Sequence, residues 1–494
     1  MIKKKHLLSF IALALAGLES CTNSTPTAPT ATTNSTASSG ISTEGAVASS
    51  VAQLQSAKAA YISYCSGCHG EEMEAFTDRK WKHGNSSEDL FKAIKHGYPD
   101  EGMQAFDETF TDKQINGLVA YIQEGIKQVK QYDFSEEKAL AHVQKSEELN
   151  FRIDTVVSGL DVPWGMAFLP NGDMLITERS GVLYRLTGNK QLQKITGAPE
   201  VLAQGQGGLL DVELHPDFAK NNTIYLSYSA LKQEGGNTLS TTAVMRAQLD
   251  GNKLTNPKVI FEALPYSKTR HHYGSRLEFG RDGYLYLSVG DRGNHDENPQ
   301  SLERHPGKVH RIKDDGSIPA DNPFTDKPGA VASTYSYGHR NIQGMAIHPE
   351  TGAIWTHEHG PKGGDEVNVS EKAKNYGWPV ISYGINYNGT VLTELTKKEG
   401  MEQPLWYWVP SIAPSGMAFV TGNRYKGWEN DLMVGSLRFK FLSRLEMDGN
   451  KIVKEEKLLK NIGRVRDVKM SPDGYLYVAV EKPGAIYKLI PMES

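Results

Sequence analysis

The chain of 494 residues has only three cysteines, Cys21, Cys65 and Cys68. So sparse a set excludes a disulfide framework, and without a second cysteine pair it excludes a four-cysteine zinc site. Long apolar runs are short supply as well: the N-terminal run from Leu7 to Leu18 is less than the about 20 residues a spanning helix needs. Charge of one sign is not in excess. A formal net charge of −4 gives no reason to invoke nucleic acid or an anionic membrane surface as a partner. What remains is room for about two to four domains, with 38% hydrophobic residues, ordinary for globular structure.

Two of the three cysteines stand in Tyr64-Cys65-Ser66-Gly67-Cys68-His69-Gly70. A C-x-x-C followed at once by histidine is the attachment pattern of haem c: the thiols of Cys65 and Cys68 hold the porphyrin, and His69 ligates the iron. The competing reading is a redox or zinc C-x-x-C with an incidental histidine, which leaves a zinc ion short of ligands. Cys21 follows Lys3-Lys4-Lys5, the apolar run and a short polar segment, the layout of a bacterial secretory signal over residues 1–21. Leu18-Glu19-Ser20-Cys21 resembles a lipobox, which implies an exported lipoprotein anchored to a membrane through Cys21, in the periplasm or cell envelope. Glu19 departs from the small or apolar residue usual there, and a plain cleaved signal is the alternative.

Residues 22–50 are dominated by Ser, Thr, Pro and Ala and read as a flexible linker. Residues 51–130 carry helical periodicity, with Val51, Leu54, Ala57 and Tyr61 on one face and Ile115, Leu118, Val119 and Ile122 on another; Thr111 and Gln114 form a capping box. This predicts a small all-α domain around the haem motif. Residues 131–148 are charged and helix-favouring and read as a connector.

From residue 149 to 494 one phrase recurs: an alternating apolar strand, a Gly or Asn turn, and a second apolar strand. It begins near Trp164, Gly208, Ser275, Gln343, Ser415 and Arg466, at a spacing of about 60 residues, enough for four short strands per unit. Six such units predict an all-β six-bladed propeller; a sandwich of this length does not explain the repeat. Residues at the start of each phrase converge on the central channel. Among them are Gln206, His272, Arg340, Asn341, Gln343, Arg464 and Arg466. Three arginines around one channel repel unless an anion is bound, or unless each reaches a carbonyl or an acid such as Asp467.

Two resemblances extend this reading. Residues 51–130 resemble a class I cytochrome c, which implies Met103 as the second axial iron ligand. Gln104 stands where that family commonly has proline, and His83 and His96 are rival ligands. The stretches Gly159 to Gly165, Gly207 to Asp211, His272 to Leu277, Gly338 to Gly344 and Arg464 to Val468 resemble the soluble glucose/sorbosone dehydrogenases that use pyrroloquinoline quinone (PQQ), with aldose sugar dehydrogenases the nearest branch. The resemblance implies His272 as general base and Asp291 as the acid orienting it. It also implies Gln206, Arg340, Asn341, Gln343, Arg464 and Arg466 as quinone contacts, and the carbonyls of Gly360 and Pro361 as calcium ligands. A lysine that contacts the cofactor in the larger glucose dehydrogenases is matched here by Thr421.

The expectation is an enzyme that oxidises the C1 hydroxyl of an aldose to a lactone. Hydride goes to PQQ, and electrons pass to the fused haem c and on to a respiratory acceptor. The alternatives are a ligand-binding propeller carrying an electron-transfer cytochrome, and a calcium-dependent lactone hydrolase, which would need acids and amides at the axis instead of arginines.

Overall fold

The computed structural model describes residues 55–61, 64–65, 81, 83–98, 103, 105–128, 141–386 and 391–492. The expected signal, the linker, Cys21, Cys68 and His69 lie outside the described residues.

In the N-terminal part, residues 55–61 are helical and two further helices follow, α1 (Ser87–His96) and α2 (Asp112–Gln128). Both begin where side chains satisfy the unpaired amides of a first turn. Ser86 and Asp89 form a reciprocal box on α1, with Asp89 N–H to Ser86 Oγ at 3.1 Å and Ser86 N–H to Asp89 Oδ2 at 3.2 Å. On α2, the Thr111 N–H donates to Gln114 Oε1 at 3.0 Å. The apolar stripes meet in one core of Ala57, Tyr61, Leu90, Ile94, Ile115, Leu118, Val119 and Ile122, as the helical spacing predicts. Among the described residues no helix is long and apolar enough to cross a membrane.

The C-terminal part is a six-bladed β-propeller. Its blades are β3 to β6 (Pro163–Phe168, Met174–Glu178, Val182–Leu186, Leu192–Ile195), β7 to β10 (Leu209–Leu214, Thr223–Glu234, Asn237–Asp250, Lys253–Glu262) and β11 to β14 (Leu277–Phe279, Leu285–Val289, Lys308–Ile312, Thr334–Tyr337). Then come β15 to β18 (Ile342–Ile347, Ile354–Glu358, Asp365–Ser370, Trp406–Trp408) and β19 to β22 (Pro414–Phe419, Leu432–Ser436, Leu442–Asp448, Lys451–Leu458). In each of these five, the first strand lies innermost. A short helix, α3 (Phe218–Asn221), fills the turn between β7 and β8.

The sixth blade closes the ring with both ends of the fold: β1 (Val143–Lys145) and β2 (Asn150–Ser158) join β25 (Ala485–Pro491), β24 (Leu476–Val480) and β23 (Val465–Met470) in the order β1-β2-β25-β24-β23. Pairing of Phe151 with Pro491 through Ser158 with Ala485 ties the N-terminal strand to the C-terminal one, leaving the ring no open seam. Residues 143–145, in the stretch read as a helix-favouring connector, are thus a strand: their alternating exposure suits an edge, and pairing with β2 outweighs local helix propensity.

The second strands β4, β12, β16 and β20 are buried along their whole length, because neighbouring blades cover both faces. Inner strands β3, β7, β11, β15, β19 and β23 pack in sequence around the axis. The residues just before or at the start of each inner strand therefore face one another at the same end of the channel.

Candidate active site

His272 lies in the loop leading to β11, and Asp291 lies two residues beyond β12, so blade three brings them together. His272 Nδ1 is 2.6 Å from Asp291 Oδ1. The second oxygen, Asp291 Oδ2, accepts from the Trp378 indole N–H at 2.9 Å, and the Gly293 N–H donates to Oδ1 at 2.7 Å. Burial works to raise the Asp291 pKa, but the His272 ring, Arg340 and the Gly293 N–H outweigh it and hold the carboxyl at about 2. A carboxylate only accepts, so Nδ1 carries the hydrogen and Nε2 is left as the ring's acceptor. Burial, reinforced by the Arg340 charge, brings the His272 pKa down to about 4, so the ring is neutral near pH 7.

The backbone pays for this placement. His272 sits at φ 55°, a left-handed conformation that costs an L-residue about 1–2 kcal/mol. It is held there by its own N–H, which donates to Gln206 Oε1 at 2.8 Å. Gly290, just before Asp291, has no room for a side chain: a Cβ would lie 2.3 Å from the His272 carbonyl oxygen.

The arginine set lies at the same end of the channel. Arg340 donates from Nη1 to the His359 carbonyl at 3.3 Å, and its guanidinium lies 5.2 Å from the Trp378 ring. Asn341 Oδ1 accepts from the Gly274 N–H at 3.1 Å, while its Nδ2 is buried with no hydrogen-bond partner among the described residues. Gln343 donates to the Gly274 carbonyl at 3.1 Å and accepts from Arg466 at 3.3 Å. A cavity of about 670 Å³ opens here, lined among others by Trp164, Gln206, Gln343, His359, Arg464 and Arg466.

Two sequence readings need correction. Arg464 and Arg466 do reach a neighbouring acid, but it is Glu481 and not Asp467, with Nε to carboxylate distances of 2.7 and 2.8 Å. Burial pushes the Glu481 pKa up, but Arg466 and Arg464 outweigh it and bring it to about 2. Asp467 instead pairs with Arg276 at 3.0 Å. The second correction concerns Thr421. It is exposed beyond the far end of β19, whereas at the near end the Pro414 carbonyl accepts from His359 Nε2 at 2.7 Å. One strand length separates Thr421 from the cavity, and the lysine that lines it is Lys482.

Three functional side chains escaped the sequence reading. Trp378 and Glu481 are two, and a repeat signal existed for the second: Glu178, Asp291, Glu358 and Glu481 all fall at or just after the end of a second strand. Arg276 is the third. It donates to the carbonyls of Gln343 at 2.6 Å and Arg466 at 3.2 Å and lies 4.3 Å from the Trp164 ring, bracing three residues that line the cavity.

Gly360 and Pro361 are buried directly after His359. Asp365 holds their loop, accepting from Gly360 N–H at 2.8 Å, Ile412 N–H at 2.7 Å and Ala413 N–H at 2.9 Å. Among the described residues no group of three or more His, Cys, Asp or Glu side chains could hold a metal. An ion here would depend on backbone carbonyl oxygens, hard donors of the kind calcium takes. In the N-terminal part Cys65 and Met103 are half-buried; Met103 pairs with Tyr98 through backbone bonds of 2.7 and 3.1 Å, and the Tyr98 ring stacks on His83 at 3.7 Å.

A propeller with a buried His–Asp pair beside an arginine-lined cavity defines an oxidoreductase-like site on a β scaffold, joined to a domain with a haem-attachment motif. Residues 160–488 match the family model described as Glucose / Sorbosone dehydrogenase, and residues 52–122 match Cytochrome C oxidase, cbb3-type, subunit III. The chain is 43% identical to the Escherichia coli aldose sugar dehydrogenase YliI, across 69% of this chain and 92% of that protein. Among solved structures it is similar to the apo form of the soluble aldose sugar dehydrogenase from E. coli, at 40% identity and a TM-score of 0.66, covering 69% of this chain and 100% of the other. It is also similar to the PQQ-bound aldose sugar dehydrogenase from Streptomyces coelicolor, at 27% identity and a TM-score of 0.57, covering 69% and 98%. The chain belongs to the glucose/sorbosone dehydrogenase family, with a cytochrome c domain fused at its N-terminal side.

Proposed function

We propose that the protein is a quinohaemoprotein sugar dehydrogenase that oxidises the C1 hydroxyl of an aldose to a lactone, with PQQ as hydride acceptor and the haem c of its fused all-α domain as the next electron acceptor. The observation that carries this reading is the neutral His272, held by Asp291 beside the arginine-lined cavity.

His272 Nε2 takes the proton of the C1 hydroxyl, and Asp291, already a carboxylate, stabilises the imidazolium that forms. The C1 hydrogen leaves with its electron pair, so the sugar loses one proton and one hydride and gains a carbonyl. PQQ, when bound, supplies the hydride acceptor. The residues present fit its carboxylates and carbonyls: Arg340, Arg464 and Arg466 are planar donors, and the buried Nδ2 of Asn341 is a donor awaiting an acceptor. Gln206 and Gln343 complete the polar wall. The carbonyls of Gly360 and Pro361 would hold calcium, whose charge favours electron gain by a bound quinone. In the N-terminal domain Cys65 and Cys68 would carry the haem, with His69 and Met103 as axial ligands. Export through residues 1–21 and anchoring at Cys21 would place the enzyme in the periplasm or cell envelope, beside a respiratory acceptor.

The test is the visible spectrum of the anaerobic holoprotein loaded with calcium and PQQ, followed after addition of single aldoses. Haem reduction that requires both the quinone and His272 supports the full reading. Reduction of an added dye without haem reduction removes the internal electron path, and silence with both acceptors despite confirmed quinone loading removes the dehydrogenase.

A further inference from the structure

Lys362 follows Gly360 and Pro361 directly and is pinned by backbone bonds to Ile385, at 3.0 Å from its N–H and 3.3 Å to its carbonyl. Its ammonium lies 5.8 Å from the centroid of the Tyr121 ring on α2. Tyr121 is buried, and its ring centroid is 5.6 Å from that of Tyr61. The Tyr61 carbonyl in turn accepts the N–H of Cys65 at 2.8 Å. A short series of contacts therefore runs from the loop beside the candidate calcium site to a cysteine of the haem motif.

A second residue of the N-terminal domain lies within electrostatic reach of the same lysine. Lys58 stands one helical turn before Tyr61, and burial followed by the Lys362 charge lowers its pKa to about 8. Tyr121 thus touches Lys362, and Lys58, on a separate helical segment, feels its charge.

We propose that Lys362 marks the electron exit of the propeller, where the cytochrome domain docks through Tyr121 and the rings of Tyr121 and Tyr61 bridge to the haem held at Cys65. This rests on the electron-transfer part of the proposed function. Electronic coupling decays steeply across gaps and less steeply through bonds and packed rings, so a bridge of this kind favours transfer. Burial pushes the Tyr121 hydroxyl up to about 12, so the phenol keeps its proton. Each aldose yields two electrons. They cross one at a time, each reducing ferric haem iron to ferrous, and an external one-electron acceptor reoxidises the iron after each; two protons pass to water.

The like charges of Lys58 and Lys362 make the contact testable without any turnover. In the full-length haem protein, Lys362→Glu should place a carboxylate against Lys58, and a carbodiimide should then join the two within one chain, identified by peptide mass spectrometry. Lys58→Glu should couple to Lys362 in the same way, while the double exchange should couple at neither. Absence of both single-variant products, with the haem spectrum intact, overturns the docking. For the electron route, Tyr121→Leu should lower the ratio of sugar-driven haem reduction to dye reduction, and Tyr121→Phe should preserve it. An unchanged ratio in Tyr121→Leu overturns the route even where the cross-link forms. Loss of dye reduction in the unaltered protein would instead strike the dehydrogenase reading and leave the cross-linking result standing.

Discussion

Trp378 joins two parts of the candidate site: its indole N–H donates to Asp291 Oδ2 at 2.9 Å, while its ring lies 5.2 Å from the Arg340 guanidinium. The acid behind the base and the cation that helps keep the base neutral therefore share one support. Trp378→Phe keeps the ring and removes the donor. A hydrogen bond to a charged group contributes about 1.5–3 kcal/mol, so kcat with a dye acceptor should fall about tenfold. The KM for sugar should change little, which separates a positioning role from a binding one.

Asp291→Asn tests the tautomer. The amide can donate to Nδ1, which would move the ring hydrogen to Nε2 and remove the base. A fall in kcat of about 100-fold to 10,000-fold is expected, with quinone binding retained in a fluorescence or absorbance titration. A variant that retains most of its activity would remove Asp291 from the mechanism.

The pH profile follows from burial. His272 binds a proton only near pH 4 in the protein, against about 6.5 when exposed. The rate constant kcat/KM should therefore hold as pH falls through 6.5 and drop only toward pH 4; a limb centred at 6.5 would contradict a buried neutral base. The same difference acts on stability. Between about pH 6.5 and 4 the unfolded chain binds the proton and the native chain does not, so His272 lowers stability as pH falls through that window. Isotope-labelled imidazole resonances of the apoprotein would report the titration directly.

Glu481 supplies the carboxylate for both Arg464 and Arg466. Glu481→Gln leaves two partly buried guanidinium groups without it and should destabilise the apoprotein by about 3 kcal/mol. Quinone carboxylates would restore part of the charge balance, so the loss in melting temperature should shrink on PQQ loading. Because Glu481 is held near 2, its contribution is present above the ordinary carboxylate range and is lost as pH falls toward 2.

Gly290→Ala puts a methyl group 2.3 Å from the His272 carbonyl. Relief requires the His272 loop or the β12 end to move, at about 1–3 kcal/mol. Thermal melts should show the loss, and kcat should fall with it, since the shift falls on the His272–Asp291 pair.

The strand phrases beginning near Trp164, Ser275 and Arg466 were legible because strand alternation and Gly or Asn turns are local properties, and their phase carried the propeller with it. Channel-end residues such as Arg340 and Gln343 followed from that phase. Glu481 could have been found the same way, by comparing second-strand ends, whereas Trp378 lies in a loop with no repeat to align it. The match of Thr421 to a cofactor lysine failed because a shift along one strand moves a residue from the cavity end to the opposite face.

The sequence by itself determined the haem-attachment pattern at Cys65 to His69, the two-part organisation, and which blades present His272 and the arginines. These depend on contiguous residues and short periods. Tertiary structure decided the partnerships: Trp378 meets Asp291 across 87 positions, Glu481 and not Asp467 answers Arg464 and Arg466, and burial beside Arg340 sets the charge state of His272. Ring closure brings those groups within hydrogen-bond reach, and a pKa reports the whole field and solvent exclusion around a group, which no local stretch of chain contains.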